Sequence, residues 1–255
     1  MARARGIKLG LDTRDVVDGA LFIVGLGFLV GHIVHVVAYN PEQMNDPETG
    51  QFALGTAIVA LAKVWAGFSS NGGFLGAVLG TILFYTVVRK RDFWLFADNA
   101  MYCFPFGYIF GRLGCFAVHD HIGVPAEEVP FLSFLAVDFP APLGPRFDMA
   151  LLEALWLVLI AIGFFIVNRR WKGSHGKFIA LWCMSYAPAR FLFDFMRNTD
   201  LDGADQRYLG LTPAQYGSIL MFTAGCFVIW RLWSRRSPQV HTASPDDSGA
   251  VDTGS

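Results

Sequence analysis

Two short stretches gather ionisable residues within or beside apolar runs. "GRLGCFAVHDHIG", residues 111–123, contains Arg112, Cys115 and a His119–Asp120–His121 triplet. "MSYAPARFLFDFMR", residues 184–197, contains Tyr186, Arg190, Asp194 and Arg197 at spacings of four, four and three. Such spacing lays the four along one helical face, while Phe191, Leu192, Phe193 and Phe195 fill the other directions. A planar guanidinium suits bidentate contact with a phosphate. Two arginine stripes turned to one interior therefore predict an anion site. In a membrane, the abundant buried phosphate ester is a phospholipid head group. An Arg190–Asp194 pair that only locks helices together explains Asp194. It leaves Tyr186 and Arg197 without a role, since one carboxylate cannot fully occupy two guanidinium groups.

The histidine triplet reads in two ways. A helix that persists to residue 120 puts Cys115, Phe116, His119 and Asp120 on the stripe of Arg112. A helix that ends near residue 118, as Gly123 and Pro125 favour, lets His119 and His121 project together from a turn. A third stretch, "SSNGGFLGAVLG" at residues 69–80, repeats Gly72, Gly73, Gly76 and Gly80 at helical spacing. Close helix packing explains it, with Asn71 as the expected N-cap. Free N–H groups of Gly72 and Gly73 at that helix start would also hold an anion. His32 and His35 lie in the first apolar run, facing roughly one side.

The elements that must carry these residues are membrane helices. The 255 residues are 54% hydrophobic and 16% charged, against about 25% charged in soluble domains. Apolar runs long enough to cross a hydrocarbon core of about 30 Å recur. Six spans are expected, near 16–38, 71–88, 95–118, 148–167, 177–196 and 214–231. The start of the chain and the connections after residues 88, 167 and 230 hold 14 of the 20 Lys and Arg residues. The positive-inside rule then places both ends in the cytoplasm and 39–70, 119–147 and 197–213 outside. The expected fold class is all-α: a polytopic helical membrane protein with an outward-facing polar site. One transmembrane domain covers 1–237, and a polar, disordered tail covers 238–255. The first apolar run is too long for a cleaved signal and lacks a small-residue cleavage motif. The four cysteines form no C-x-x-C pair, so neither a disulfide framework nor a zinc motif is expected. Nothing indicates a nucleotide loop or a nucleic-acid surface.

Several segments, in order, resemble the prolipoprotein diacylglyceryl transferase family of bacterial inner-membrane enzymes. "GHIVHVVAYNPEQMNDP" (31–47) is similar to its second span and the Tyr-Asn that follows. "KVWAGFSSNGGFLG" (63–76) is similar to its W-x-G-G…H-G-G-L-x-G segment. "GRLG" (111–114) matches the start of its G-R-x-G-N-F-x-N signature, and "MSYAPARFLFDFMR" and "LGLTPAQYGSILM" (209–221) resemble its last two spans. The resemblance implies a multi-pass enzyme of the bacterial inner membrane. It implies transfer of a diacylglyceryl group from phosphatidylglycerol to the cysteine thiol of a prolipoprotein lipobox, with glycerol phosphate leaving. It implies essential roles for Arg112 and Arg190, with Tyr186 and Arg197 beside them, membrane lipids as surroundings, and no cofactor or metal.

The chain also departs from that pattern. Asn71 replaces the histidine of H-G-G, Cys115 and Val118 replace the two asparagines of the signature, and Asp120 replaces a glutamate. His32 stands for the first arginine of G-R-I-G-Y, Asp194 stands where glutamate is usual, and the family's first span has no counterpart. The chain thus resembles a divergent paralogue. A thiol must lose its proton to attack and Asn71 cannot take it, so the expected catalytic group is His119, Asp120 and His121 with Arg190. Asp120 would orient an imidazole there. The expected substrate-binding group is Arg112, Tyr186, Arg197, Asn71, Gly72 and Gly73. Two other readings use the same residues. One is a metal-dependent membrane lipid hydrolase with His119, Asp120 and His121 as ligands; the other is a non-catalytic phospholipid-binding or transport protein.

Overall fold

The computed structural model describes residues 1–171, 175–201 and 207–234, without the side chains of Ser70 and Asn71. The tail expected at 238–255 lies outside the described residues. Eight α-helices run along the described chain: α1 Ala2–Lys8, α2 Thr13–Val34, α3 Leu54–Ala62, α4 Ser70–Ile82, α5 Phe93–Val118, α6 Met149–Arg170, α7 Lys177–Phe193 and α8 Pro213–Ser234. Wider π-type turns extend α2 through Tyr39 and α4 through Val88. Each of the six expected spans falls on one of these helices. Four segments are long and apolar enough to cross a membrane: Thr13–Tyr39, Phe93–Val118, Met149–Arg170 and Pro213–Ser234. A 22-residue helix such as α6 is about 33 Å long. The segment Gly72–Val88 and helix α7 are shorter.

Local chemistry sets the helix starts. Asp12, Asp92 and Asp148 each accept a backbone N–H of the first turn of α2, α5 and α6, which satisfies donors that a helix start leaves open. The cap of α4 corrects the sequence expectation. Ser69, not Asn71, is its N-cap and accepts from Gly72 N at 3.3 Å; Asn71 already stands within the first helical turn.

Helices α2 and α4 pack through glycine. A Cβ on Gly76 would stand 2.7 Å from Leu26 O, and one on Gly72 would stand 2.6 Å from Val34 Cβ. The expected small-residue packing is therefore what the spacing encodes. Helices α5, α6 and α7 enclose an aromatic core of Tyr102, Phe164, Phe178, Trp182 and Tyr186. The outward faces stay apolar: Leu21, Phe110, Val118, Leu220 and Trp233 are each at least 70% exposed. Apolar surface of that extent is the lipid-facing side.

Between α5 and α6 the chain forms an antiparallel sheet of β1 Ile122–Pro125, β2 Val137–Phe139 and β3 Gly144–Asp148, in the order β1–β3–β2. This cap was not anticipated. Gly123 also bridges Arg197, which ties the segment after α7 to the sheet. Arg146 donates to Gly123 O at 3.1 Å and grips both carboxylate oxygens of Asp200. At the opposite end, Arg5 donates to Asn99 Oδ1 at 3.1 Å and Asn168 Oδ1 at 3.2 Å. There Asp98 caps α7 by accepting from Phe178 N at 2.7 Å.

Candidate active site

Helices α5, α6 and α7 bring their polar residues to one buried carboxylate. Glu153, in the second turn of α6, is 1% exposed. Its Oε2 lies 2.9 Å from Arg112 Nε and accepts from the Tyr186 hydroxyl at 3.0 Å. Its Oε1 lies 3.5 Å from Arg190 Nε. Arg112 and Arg190 thus share one acid, and the two arginine stripes inferred from the sequence face one interior as expected.

The surrounding groups fix this centre. Tyr108, one turn before Arg112, accepts from Arg112 Nη2 at 2.6 Å and Nε at 3.1 Å, and its hydroxyl lies 3.2 Å from that of Tyr186. Arg190 Nη1 donates to Asp194 Oδ1 at 2.7 Å. Thr212 donates to the other oxygen of Asp194. The Arg190–Asp194 pair is real, yet it occupies only part of the guanidinium. Among the described residues, Nη2 of Arg190 makes no hydrogen bond. Two guanidinium groups with two carboxylates leave the resting site neutral, with spare N–H groups for an anion.

The stripe on α7 is shorter than expected. The α-helix ends at Phe193, a 3₁₀ turn covers Asp194–Met196, and Arg197 is extended. Arg197 therefore leaves the face of Tyr186 and Arg190 and pairs with the sheet through Gly123.

The histidine triplet follows the second of its two readings in where the helix ends, but His119 and His121 do not project together. Helix α5 stops at Val118, and His119 turns into the left-handed region with φ 51°, so it does not continue the stripe of Arg112. His119 Nδ1 lies 2.9 Å from Asp148 Oδ2, with the imidazole 40% exposed and the carboxylate fully buried. Asp148 Oδ1 is already used by Ala150 N and Leu151 N at the start of α6. A carboxylate can only accept, so Nδ1 donates to it and Nε2 is the ring nitrogen left for other partners. Asp148, not Asp120, orients His119. Asp120 instead lies 2.6 Å from His121 Nδ1. The three expected hydrolase ligands are thus divided: Asp120 and His121 stay together, and His119 belongs to Asp148.

The remaining expected residues sit on α4 and α2. Gly72 N donates to Ser69 Oγ at 3.3 Å and Gly73 N to Ser69 O at 2.8 Å, so both N–H groups already have partners. The side chain of Asn71 lies outside the described residues. His32 is buried, with Nδ1 and Nε2 each 3.0 Å from the carbonyls of Gly67 and Ala60. It fastens the segment between α3 and α4 to α2. His35 packs over Gly67, where a Cβ would lie 2.0 Å from its Nε2.

Glu153, Tyr108 and Asp148 are the residues that sequence reasoning missed. Glu153 had a signal: it is the single acid in the apolar run of α6, and an intramembrane acid marks function by default.

The model of the prolipoprotein diacylglyceryl transferase family matches residues 1–231. Among individual relatives, a phosphatidylglycerol–prolipoprotein diacylglyceryl transferase of Campylobacter curvus is 36% identical over 225 residues, covering 84% of this chain and 76% of its own. Enzymes of the same description from Helicobacter hepaticus and Caulobacter vibrioides are 28% and 29% identical. They cover 85% and 89% of this chain and 73% and 78% of their own lengths.

Proposed function

The chain belongs to the prolipoprotein diacylglyceryl transferase family, and from that premise we propose that it moves a diacylglyceryl group from phosphatidylglycerol to the cysteine thiol of a prolipoprotein lipobox. The observation that carries this reading is the pair of arginines held on Glu153. Donor phosphate binds at the spare N–H groups of Arg190 and Arg112, with the Tyr186 hydroxyl beside them, while Arg197, drawn off to the sheet, takes no part. Negative charge grows on that phosphate as the carbon–oxygen bond breaks. Fixed guanidinium donors in a dry site stabilise it most at that moment. Glu153 is a positioning residue: it sets the spacing of the two arginines. Apolar grooves along α6, between α6 and α7 at Trp156 and Leu159 and between α5 and α6 at Phe106 and Ile109, suit the acyl chains.

His119 is the base. Asp148 fixes its tautomer and leaves Nε2 to take the thiol proton, in place of the histidine that Asn71 does not supply. Gly72 and Gly73 seat α4 against α2 and Phe68, a packing role. The protein is multi-pass; we place it in the bacterial inner membrane, and the Lys/Arg asymmetry supports an orientation with the sheet and the site on the outer face.

The test is reconstitution. Purified protein in vesicles containing phosphatidylglycerol, mixed with a lipobox peptide, should release glycerol phosphate and give a diacylglyceryl-modified peptide. Phospholipid binding with no modified peptide would leave the non-catalytic reading in its place.

A further inference from the structure

Cys115 stands where the family signature has asparagine, and the mechanism above does not use it. The left-handed turn at His119 folds the chain back over the end of α5. As a result one ligand atom each of Cys115, Asp120 and His121 lies within 4.8 Å of the other two. His121 Nδ1 is buried and makes no hydrogen bond, although Asp120 Oδ1 is 2.6 Å away. We propose that Cys115, Asp120 and His121 bind a zinc ion whose fourth position takes the thiolate of the acceptor cysteine. This rests on the transferase reading above.

Ligand chemistry, charge and position favour that ion. One thiolate, one carboxylate and one imidazole are zinc ligands, and three protein ligands with an open position are the pattern of a catalytic site. The soft thiolate selects against magnesium and calcium. With zinc bond lengths of about 2.0–2.3 Å, tetrahedral ligands stand about 3.3–3.6 Å apart. The Asp120 side chain, 48% exposed, can turn to open its contact with His121 and close the others. The two anionic ligands neutralise the ion, and the carbonyl end of α5 favours a cation.

The site would act with His119, by lowering the cost of removing the thiol proton that His119 takes. A thiol bound to zinc is deprotonated outright; its proton passes to His119 Nε2 or to water. Cys115 follows Arg112 by one helical turn, so the bound thiolate faces the donor whose phosphate Arg112 holds. The thiolate sulfur forms a bond to the glyceryl carbon, and the carbon–oxygen bond to phosphate breaks. Its electron pair leaves on glycerol phosphate. The thioether product is a weak ligand and departs, with no change of oxidation state.

Cobalt reports on this site because its thiolate complexes absorb. The detergent-solubilised full chain, freed of metal and given Co²⁺, should show a sulfur-to-cobalt charge-transfer band. C115S should abolish the band. H121Q should weaken Co²⁺ binding at least about tenfold, the lower end of what even an outer-shell partner is worth. C226S, at an exposed position on α8, should leave the spectrum unchanged. A lipobox peptide should shift the visible bands, and the same peptide with serine for cysteine should not. Absence of the band in wild type, its persistence in C115S, or no shift with the cysteine peptide would each overturn the proposal. Full transfer by metal-stripped protein would sink the zinc site and keep the transferase. A peptide-dependent cobalt shift without any transferred lipid would sink the transferase and keep the thiolate site.

Discussion

Arg112 and Glu153 meet at 2.9 Å between α5 and α6, with only 9% and 1% of their side chains exposed. Removing one partner of a buried pair strands the other and costs about 3–5 kcal/mol. Glu153→Ala should therefore lower the melting temperature in detergent markedly, and Glu153→Gln less, because the amide still accepts from Tyr186. Both should lose transfer activity. A Glu153→Gln protein with wild-type turnover would show that the spacing of the arginines does not matter.

Arg190 touches Glu153 and Asp194 through two of its nitrogens. Lysine at this position keeps a charge and loses the fork. Arg190→Lys should fold and insert, and lose turnover at least about tenfold, equal to about 1.4 kcal/mol of barrier. Arg112→Lys should behave alike. Assays with increasing phosphatidylglycerol would show whether the loss lies in donor binding or in turnover.

Asp148 does two jobs that one substitution can separate. Asparagine is as good an N-cap as aspartate, so Asp148→Asn should keep α6 intact while removing the charge behind His119. Asp148→Asn and His119→Gln should each slow transfer at least about tenfold, and the double variant should be no slower than the worse single one. Additive losses would separate the two residues functionally.

Gly76 and Gly25 make a paired test of the α2–α4 seam. A Cβ on Gly76 meets Leu26 O and Gly27 Cα within 3 Å, whereas nothing lies within 4 Å of one on Gly25. Gly76→Val should cost about 1–3 kcal/mol or more through forced backbone separation, read as poor insertion and early melting. Gly25→Ala should be neutral or slightly stabilising.

The clamp between Arg146 and Asp200 sets an acid limit for the outer sheet. Hydrogen bonding to Arg146 holds the Asp200 carboxyl below the ordinary carboxylate range. Its contribution is thus present above the unfolded value, near pH 4, and is lost as pH falls through the lower folded value. Hydrogen exchange of β3 and residues 197–201 should quicken only in that acidic window, and Asp200→Asn should quicken it at neutral pH. Unchanged exchange in Asp200→Asn would rule the clamp out.

The spans were legible because an apolar run of about 20 residues has a single physical solution in lipid. The meeting of Arg112 and Arg190 was legible for a related reason: ionised groups in a span must face inward. Gly123 and Pro125 pointed to a helix end near residue 118, but not to the left-handed backbone of His119, which no glycine or asparagine marks. That one residue moved His119 from the stripe of Arg112 to Asp148 and carried His121 back toward Cys115. Strands of three to five residues carry too little alternation to announce a sheet. The cap of α4 was ambiguous because Ser69, Ser70 and Asn71 are all good caps.

Arg5 reaches Asn168 across 163 residues of chain. During synthesis at about 5–20 residues per second, that contact waits about 8–30 s for its partner to emerge. Asn99 and Asp98 become available earlier, but Phe178, which Asp98 caps, comes later still. Helix α1 is thus fastened only after α5 and α6 have emerged, and it closes the base of the bundle like a keystone.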